Sequence, residues 1–187
     1  DEGDLRKTEG RLVEADTLHG EALEIRRALV EELGTPQSRR DVSVSLNNVG
    51  DIAKAHGDLE TALAHYEESL AIRRALAEEQ GTPDSRRDVS VSLNQVGDIA
   101  KAHGDLATAL SHYEESLEIR RALAEELGTP GSRRDVSVSL NNIGDIAESN
   151  GDLETALAHY EESLAIDRAL AEELGTPGSR RGVSVSL

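Results

Sequence analysis

The chain has 187 residues with 37 acidic and 20 basic side chains, a net charge of −17, and no cysteine. A surface this acidic repels nucleic acid and anionic membranes, both of which need clustered positive charge, so neither is expected as a partner and basic partners are favoured. Without cysteine there is no disulfide framework, thiolate metal site or Cys nucleophile, which fits a reducing, cytoplasmic setting.

The acidity also keeps a long array soluble. No apolar run approaches the ~20 residues needed to cross a bilayer, and no signal-peptide pattern opens the chain. Methionine is absent even at position 1, as expected of a processed chain or a fragment of a longer one.

The chain is organised by a repeat. Residues 41–87 recur as 88–134 with six changes, and again as 135–181 with small changes clustered at Ile143, Glu148 to Asn150 and Asp167. A fixed period of about 47 residues predicts a stacked array in which each module touches mainly its neighbours. Residues 1–40 align as a diverged first module lacking half of its first helix, with Gly3 under Gly50 and Gly10 under Gly57. Residues 182–187, GVSVSL, read as the start of a further module. Both ends cut through a first helix and are expected to expose apolar surface.

In each module the first element, helix A, is expected from about Arg39 to His56. Gly34 followed by Pro36 is a helix-stop signature, and Ser38 to Asp41 has the spacing of a capping-box-like restart. Val42, Leu46, Val49 and Ala53 then fall on one helical stripe. The alternation in Val42 to Leu46 taken alone would suggest a strand, but the stripe continues through Ala53 with no turn residue between. Gly50 is unfavourable by ~1 kcal/mol in a helix interior relative to Ala, which points to close approach of a second helix.

Gly57-Asp58 breaks the chain, with glycine in the left-handed cap position and aspartate capping the second helix. Helix B is expected from about Leu59 to Gln80, with Leu59, Ala62, Leu63, Tyr66, Leu70 and Ala77 along one side. The Glu67-Glu68, Arg73-Arg74 and Glu78-Glu79 pairs read as a solvated face with i,i+4 support.

The residues suited to catalysis do not assemble an active site. Ser, His, Asp and Glu recur in every module, whereas an active site needs one preorganised constellation in a pocket. His56, His65, His103, His112 and His159 sit too far from their counterparts, by two helix spacings of ~8–10 Å each, to share a metal with ligands at ~2.0–2.1 Å. The Gly-Thr-Pro tripeptide lacks the lysine and spacing of a phosphate loop. No catalytic, cofactor-binding or metal-binding residue is therefore expected, and no cofactor.

The two-helix module resembles the tetratricopeptide repeat family, closest to the longer kinesin-light-chain-like repeats. The resemblance rests on Leu46, Val49, Gly50, Ala62, Tyr66 and Ser69 and their equivalents one and two periods on. It departs from the family in its period, which is ~34 residues there, and in having Leu46 and Ala53 where the family carries bulkier residues. The resemblance implies an all-α solenoid, a right-handed superhelix of stacked antiparallel helix pairs, with helix A lining a concave groove and Gly50 meeting Ala62.

By position, the peptide-binding groove would be lined by Asn47, Asn48, Asp51 and Lys54, then Asn94, Gln95, Asp98 and Lys101, then Asn141, Asn142, Asp145 and Glu148. Val44, Val91 and Val138 face the same way. An amide both donates to and accepts from a peptide backbone, and a carboxylate row favours Lys or Arg on that peptide. The family's basic carboxylate clamp is not reproduced. The function expected is a non-catalytic protein-interaction scaffold that binds an extended basic segment. The alternatives are a head-to-tail homo-oligomer joined through the broken terminal modules, or a regulatory array cut from a larger signalling protein.

Overall fold

The computed structural model describes residues 2–175, which form seven helices: α1 (Glu2–Leu33), α2 (Pro36–Ala55), α3 (Leu59–Gln80), α4 (Pro83–Ala102), α5 (Leu106–Leu127), α6 (Pro130–Ser149) and α7 (Leu153–Leu174). The expected helix start at 182–187 lies outside the described residues. The described residues divide into two compact units, one up to Ser92 and one from Leu93.

Helices α2, α4 and α6 begin three residues earlier than the Ser38 capping box suggested. The cap is Thr35, whose backbone is extended and whose hydroxyl accepts from Ser38 N at 3.1 Å, with Pro36 opening the helix. Thr82 and Thr129 do the same for Ser85 and Ser132. Proline suits the first helical position because its missing N–H has no partner there and its φ is already helical. Ser38 is inside the first turn, buried, with its hydroxyl turned back to Thr35 O at 2.9 Å.

The second helix of each pair begins as the sequence suggests. Asp58, Asp105 and Asp152 each accept from a threonine N–H three residues on, at 3.0–3.1 Å. α3 closes on Gly81 at φ 61°, whose N–H reaches Ala77 O. That left-handed backbone is where glycine avoids the Cβ clash.

The first element departs from expectation. α1 is continuous through Gly10, with no turn there. Arg11 follows Gly10 where Asp58 follows Gly57, so no carboxylate is present to cap a second helix, and the backbone is satisfied by continuing the first.

In the first unit, α2 and α3 run antiparallel. As α3 advances from Tyr66 to Arg73, its partners on α2 retreat from Asp51 to Ser43. Leu23 from α1 joins Val42, Leu46 and Val49 from α2 in a core, with Val30 and Ile72 against it. Fully burying one such side chain stabilises by about 1.5–3 kcal/mol. In the second unit, α6 packs between α5 and α7. Ala109, Tyr113 and Leu117 of α5 form a core with Val136, Leu140, Ile143 and Ile146 of α6, and Tyr160 and Ser163 of α7 bond back to Asp145 and Ser137.

The nearest approach at Gly50 is made by the ring of Tyr66. A Cβ on Gly50 would lie 2.7 Å from Cε1 of Tyr66, and Gly97 and Gly144 stand in the same relation to Tyr113 and Tyr160.

Arg73 and Arg120 overturn the reading of the arginine pairs as a solvated face: they are 5% and 6% exposed. Arg73 donates from Nε to Ser43 Oγ at 3.2 Å, and from Nη1 to Asp88 O at 3.1 Å and Ser92 Oγ at 3.0 Å. It thus ties its own helix pair to the start of the next helix A. Arg120 reaches Asp135 O and Ser139 Oγ at 3.0 and 3.1 Å, and Arg26 reaches Asp41 O and Ser45 Oγ. Serine makes this possible because it leaves room for a guanidinium and supplies an acceptor. Arg74 and Arg121, one residue on, are exposed. At the equivalent place in α7, Asp167 reverses the polarity and accepts from Ser137 Oγ at 3.1 Å.

Candidate functional site

The polar residues singled out from the sequence recur along one face of each helix A. On α2, Asn47 is buried, Asn48 is half-buried, and Asp51 and Lys54 are exposed. On α4, Asn94, Gln95, Asp98 and Lys101 are all half-buried. On α6, Asn141, Asn142 and Asp145 are half-buried and Glu148 is exposed. Val44 and Val138 are exposed and Val91 is half-buried.

A tyrosine of the following helix holds each aspartate of this row. Tyr66 Oη donates to Asp51 Oδ1 at 2.6 Å, Tyr113 Oη to Asp98 Oδ1 at 2.7 Å, and Tyr160 Oη to Asp145 Oδ1 at 3.0 Å. The geometry follows from Gly50, Gly97 and Gly144. With no Cβ there, the ring lies against the backbone of helix A and its hydroxyl reaches the carboxylate of the very next residue. Burial pushes the Tyr113 hydroxyl well above its usual pKa, helped by the bond to Asp98 and the charges of Asp98 and Asp145. Tyr160 is raised by burial, then by Asp145 and Glu148. Both phenols therefore stay protonated and donate.

In the second unit two rows meet. Lys101 Nζ on α4 donates to Asp145 Oδ2 on α6 at 2.9 Å. Asp145 thus accepts Tyr160 on one oxygen and Lys101 on the other. Glu148 stands where α2 and α4 carry Lys54 and Lys101, and its Oε2, 3.1 Å from Tyr160 Oη, shares that hydroxyl's single hydrogen with Asp145. The α6 segment is accordingly the most acidic of the three.

The tyrosine–aspartate bond went unread in the sequence, although its signal is present: aspartate and tyrosine recur 15 positions apart in all three modules. Among the described residues, no three His, Asp or Glu side chains come together in a group that could hold a metal ion. No described helix is long and apolar enough to cross a membrane.

Comparison with known proteins is decisive at the level of family. The tetratricopeptide repeat matches residues 41–122 and, separately, residues 138–170, together more than half of the chain. The chain belongs to the tetratricopeptide repeat family. Its 47-residue spacing is consistent with the extended, kinesin-light-chain-like form of the repeat. Tetratricopeptide repeats generally act in protein–protein interaction and scaffolding, and are typically non-enzymatic.

Among solved structures, the N-terminal domain of stress-induced protein-1 (STI-1) from C. elegans is similar over 79% of this chain and 96% of its own, with a TM-score of 0.51 and 16% identity. At that identity the likeness speaks to fold alone, an all-α solenoid of repeats. BtubC (BKLC) from P. vanneervenii aligns over 94% of this chain and 88% of its own, with a TM-score of 0.46 and 16% identity. No curated protein matches the chain.

Proposed function

We propose that this tetratricopeptide array is a non-catalytic binding module that holds an extended, basic protein segment against the amide and carboxylate rows of its A helices. The observation that supports it is the pairing of Asp51, Asp98 and Asp145 with buried or half-buried tyrosines. A carboxylate already fixed by a neighbour loses less conformational freedom when a ligand arrives. The amides of Asn48, Gln95 and Asn142 can donate to and accept from a peptide backbone. Lysine or arginine on the partner would meet the carboxylates, with the strongest attraction at Glu148 on α6, because Asp145 already pairs with Lys101.

The test is a titration of extended Lys- and Arg-bearing peptides, and of their Glu-bearing counterparts, at several salt concentrations. Asparagine is the informative replacement. In the triple variant Asp51→Asn, Asp98→Asn, Asp145→Asn the tyrosines keep an acceptor while three charges disappear. Affinity for the basic peptides should fall at least about tenfold, with a shallower salt dependence. Equal affinity of parent and variant for every basic peptide would remove the carboxylate rows from the site.

A further inference from the structure

In the second unit a lysine of one A helix already occupies a carboxylate of the next. Lys101 stands three residues after Asp98 on α4, and its Nζ donates to Asp145 Oδ2 on α6 at 2.9 Å. The pair is open to solvent: the Lys101 side chain is 37% exposed and that of Asp145 47% exposed. An ion pair this exposed contributes little, because water and salt screen it and a long side chain must be ordered to hold it. A competing cation has little to overcome.

The two ends of the pair are held unequally. Asp145 is fixed by Tyr160, whose hydroxyl lies 3.0 Å from Oδ1 and whose ring is packed against Gly144. Lys101 carries its charge at the end of a flexible four-carbon stem, so it can swing away while the carboxylate stays in place. The contact at Oδ2 is an ammonium on a carboxylate, which is the contact that a lysine on a partner segment would make. On α6 the position equivalent to Lys101 is Glu148, so this stretch of the row has no second lysine of its own helix.

We infer that Lys101 is a specificity-determining residue, an internal stand-in for the ligand's ammonium that fills Asp145 in the free protein and is displaced when a basic segment binds. The inference rests on the binding mode proposed above. A lone lysine gains little at Asp145, since one ammonium only replaces another. A segment already held on the amide rows presents its lysine at high effective concentration, and so displaces Lys101. The array thereby selects extended basic segments over isolated cations.

The test uses an extended peptide of alternating lysine and serine, titrated calorimetrically into the full chain and its variants, with helicity checked by circular dichroism. Lys101→Gln should bind the peptide about two- to fivefold more tightly than the parent. Lys101→Arg keeps a cation on Asp145 and should gain nothing. With Asp145→Asn already in place, Lys101→Gln should again gain nothing, because there is no carboxylate to release. Arg121→Gln removes an exposed cation from the B helices and controls for net charge. Peptide binding with equal affinity in the parent and Lys101→Gln overturns the inference and leaves the binding mode standing. So does an equal gain in Arg121→Gln, or an equal gain from Lys101→Gln in the Asp145→Asn background, either of which would make the effect one of net charge. Absence of binding in the parent and in every variant overturns the binding mode, and this inference with it.

Discussion

Cε1 of Tyr113 stands 2.8 Å from where a Cβ on Gly97 would lie. Tyr113 is 1% exposed and its hydroxyl is held by Asp98, so the ring has no room to step aside. Gly97→Ala would gain up to about 1 kcal/mol of helix propensity. Overpacking a filled core costs about 1–3 kcal/mol, and moving the ring also strains its hydrogen bond. The variant should therefore be less stable by about 1 kcal/mol, read as a lower midpoint in urea. Gly144→Ala should be milder, because Tyr160 is only half-buried and can shift outward.

Tyr113→Phe keeps the ring and removes the donor to Asp98. A hydrogen bond to a charged group contributes about 1.5–3 kcal/mol, and a loss near the lower end should appear in chemical denaturation. The variant should also change the alkaline limb of the stability profile. The folded hydroxyl titrates above its unfolded value, so its contribution is complete below pH ~10 and is lost as pH rises beyond it. The parent should lose stability above about pH 10 more steeply than Tyr113→Phe.

Two adjacent arginines should behave very differently. Arg120 is buried on the oxygens of Asp135 and Ser139, whereas Arg121 donates from Nη2 alone to both carboxylate oxygens of Glu162 in an exposed pair. Arg120→Ala leaves a void and unpaired buried acceptors and should cost about 2–4 kcal/mol. Arg121→Ala should cost less than about 1 kcal/mol, and less still in high salt. Denaturation of both variants at two salt concentrations measures the contrast.

The caps of the B helices should shape the acid limb. Asp58, Asp105 and Asp152 are held below the usual carboxylate range, first by the threonine hydroxyl and then by the threonine N–H. A depressed folded value means the contribution is present above the unfolded value of ~3.9 and is lost as pH falls through the folded one. Asp105→Asn keeps an acceptor for Thr108 and has no charge to lose. It should make unfolding less sensitive to pH between about 5 and 2, as followed by circular dichroism.

Much of the fold was legible in the sequence because the signals were local and repeated. The stripe from Val42 to Ala53, the Gly57-Asp58 break and the Gly81 stop each depend on residues within a turn or two of one another. The errors arose where two local signals competed. Ser38 and Thr35 are both credible caps, and Pro36 decides for threonine. Gly10 aligns with a helix stop, but Arg11 cannot cap a new helix. In the candidate site, the period alone exposes the aspartate row, while the tyrosines holding it lie in an apolar stripe that marks them only as core.

By itself the sequence determined the repeat period, the helix pairs, the family and the acidic character. These properties rest on spacing, composition and short-range capping, which are written along the chain. Only the tertiary structure decided that Arg73 and Arg120 are buried connectors while Arg74 and Arg121 are surface charges. It alone decided that tyrosine hydroxyls hold the aspartates, and that Lys101 lies on Asp145. The physical reason is that burial and hydrogen-bond partners depend on which helix lies opposite. Two neighbouring arginines with the same local propensities are told apart only by what packs against them.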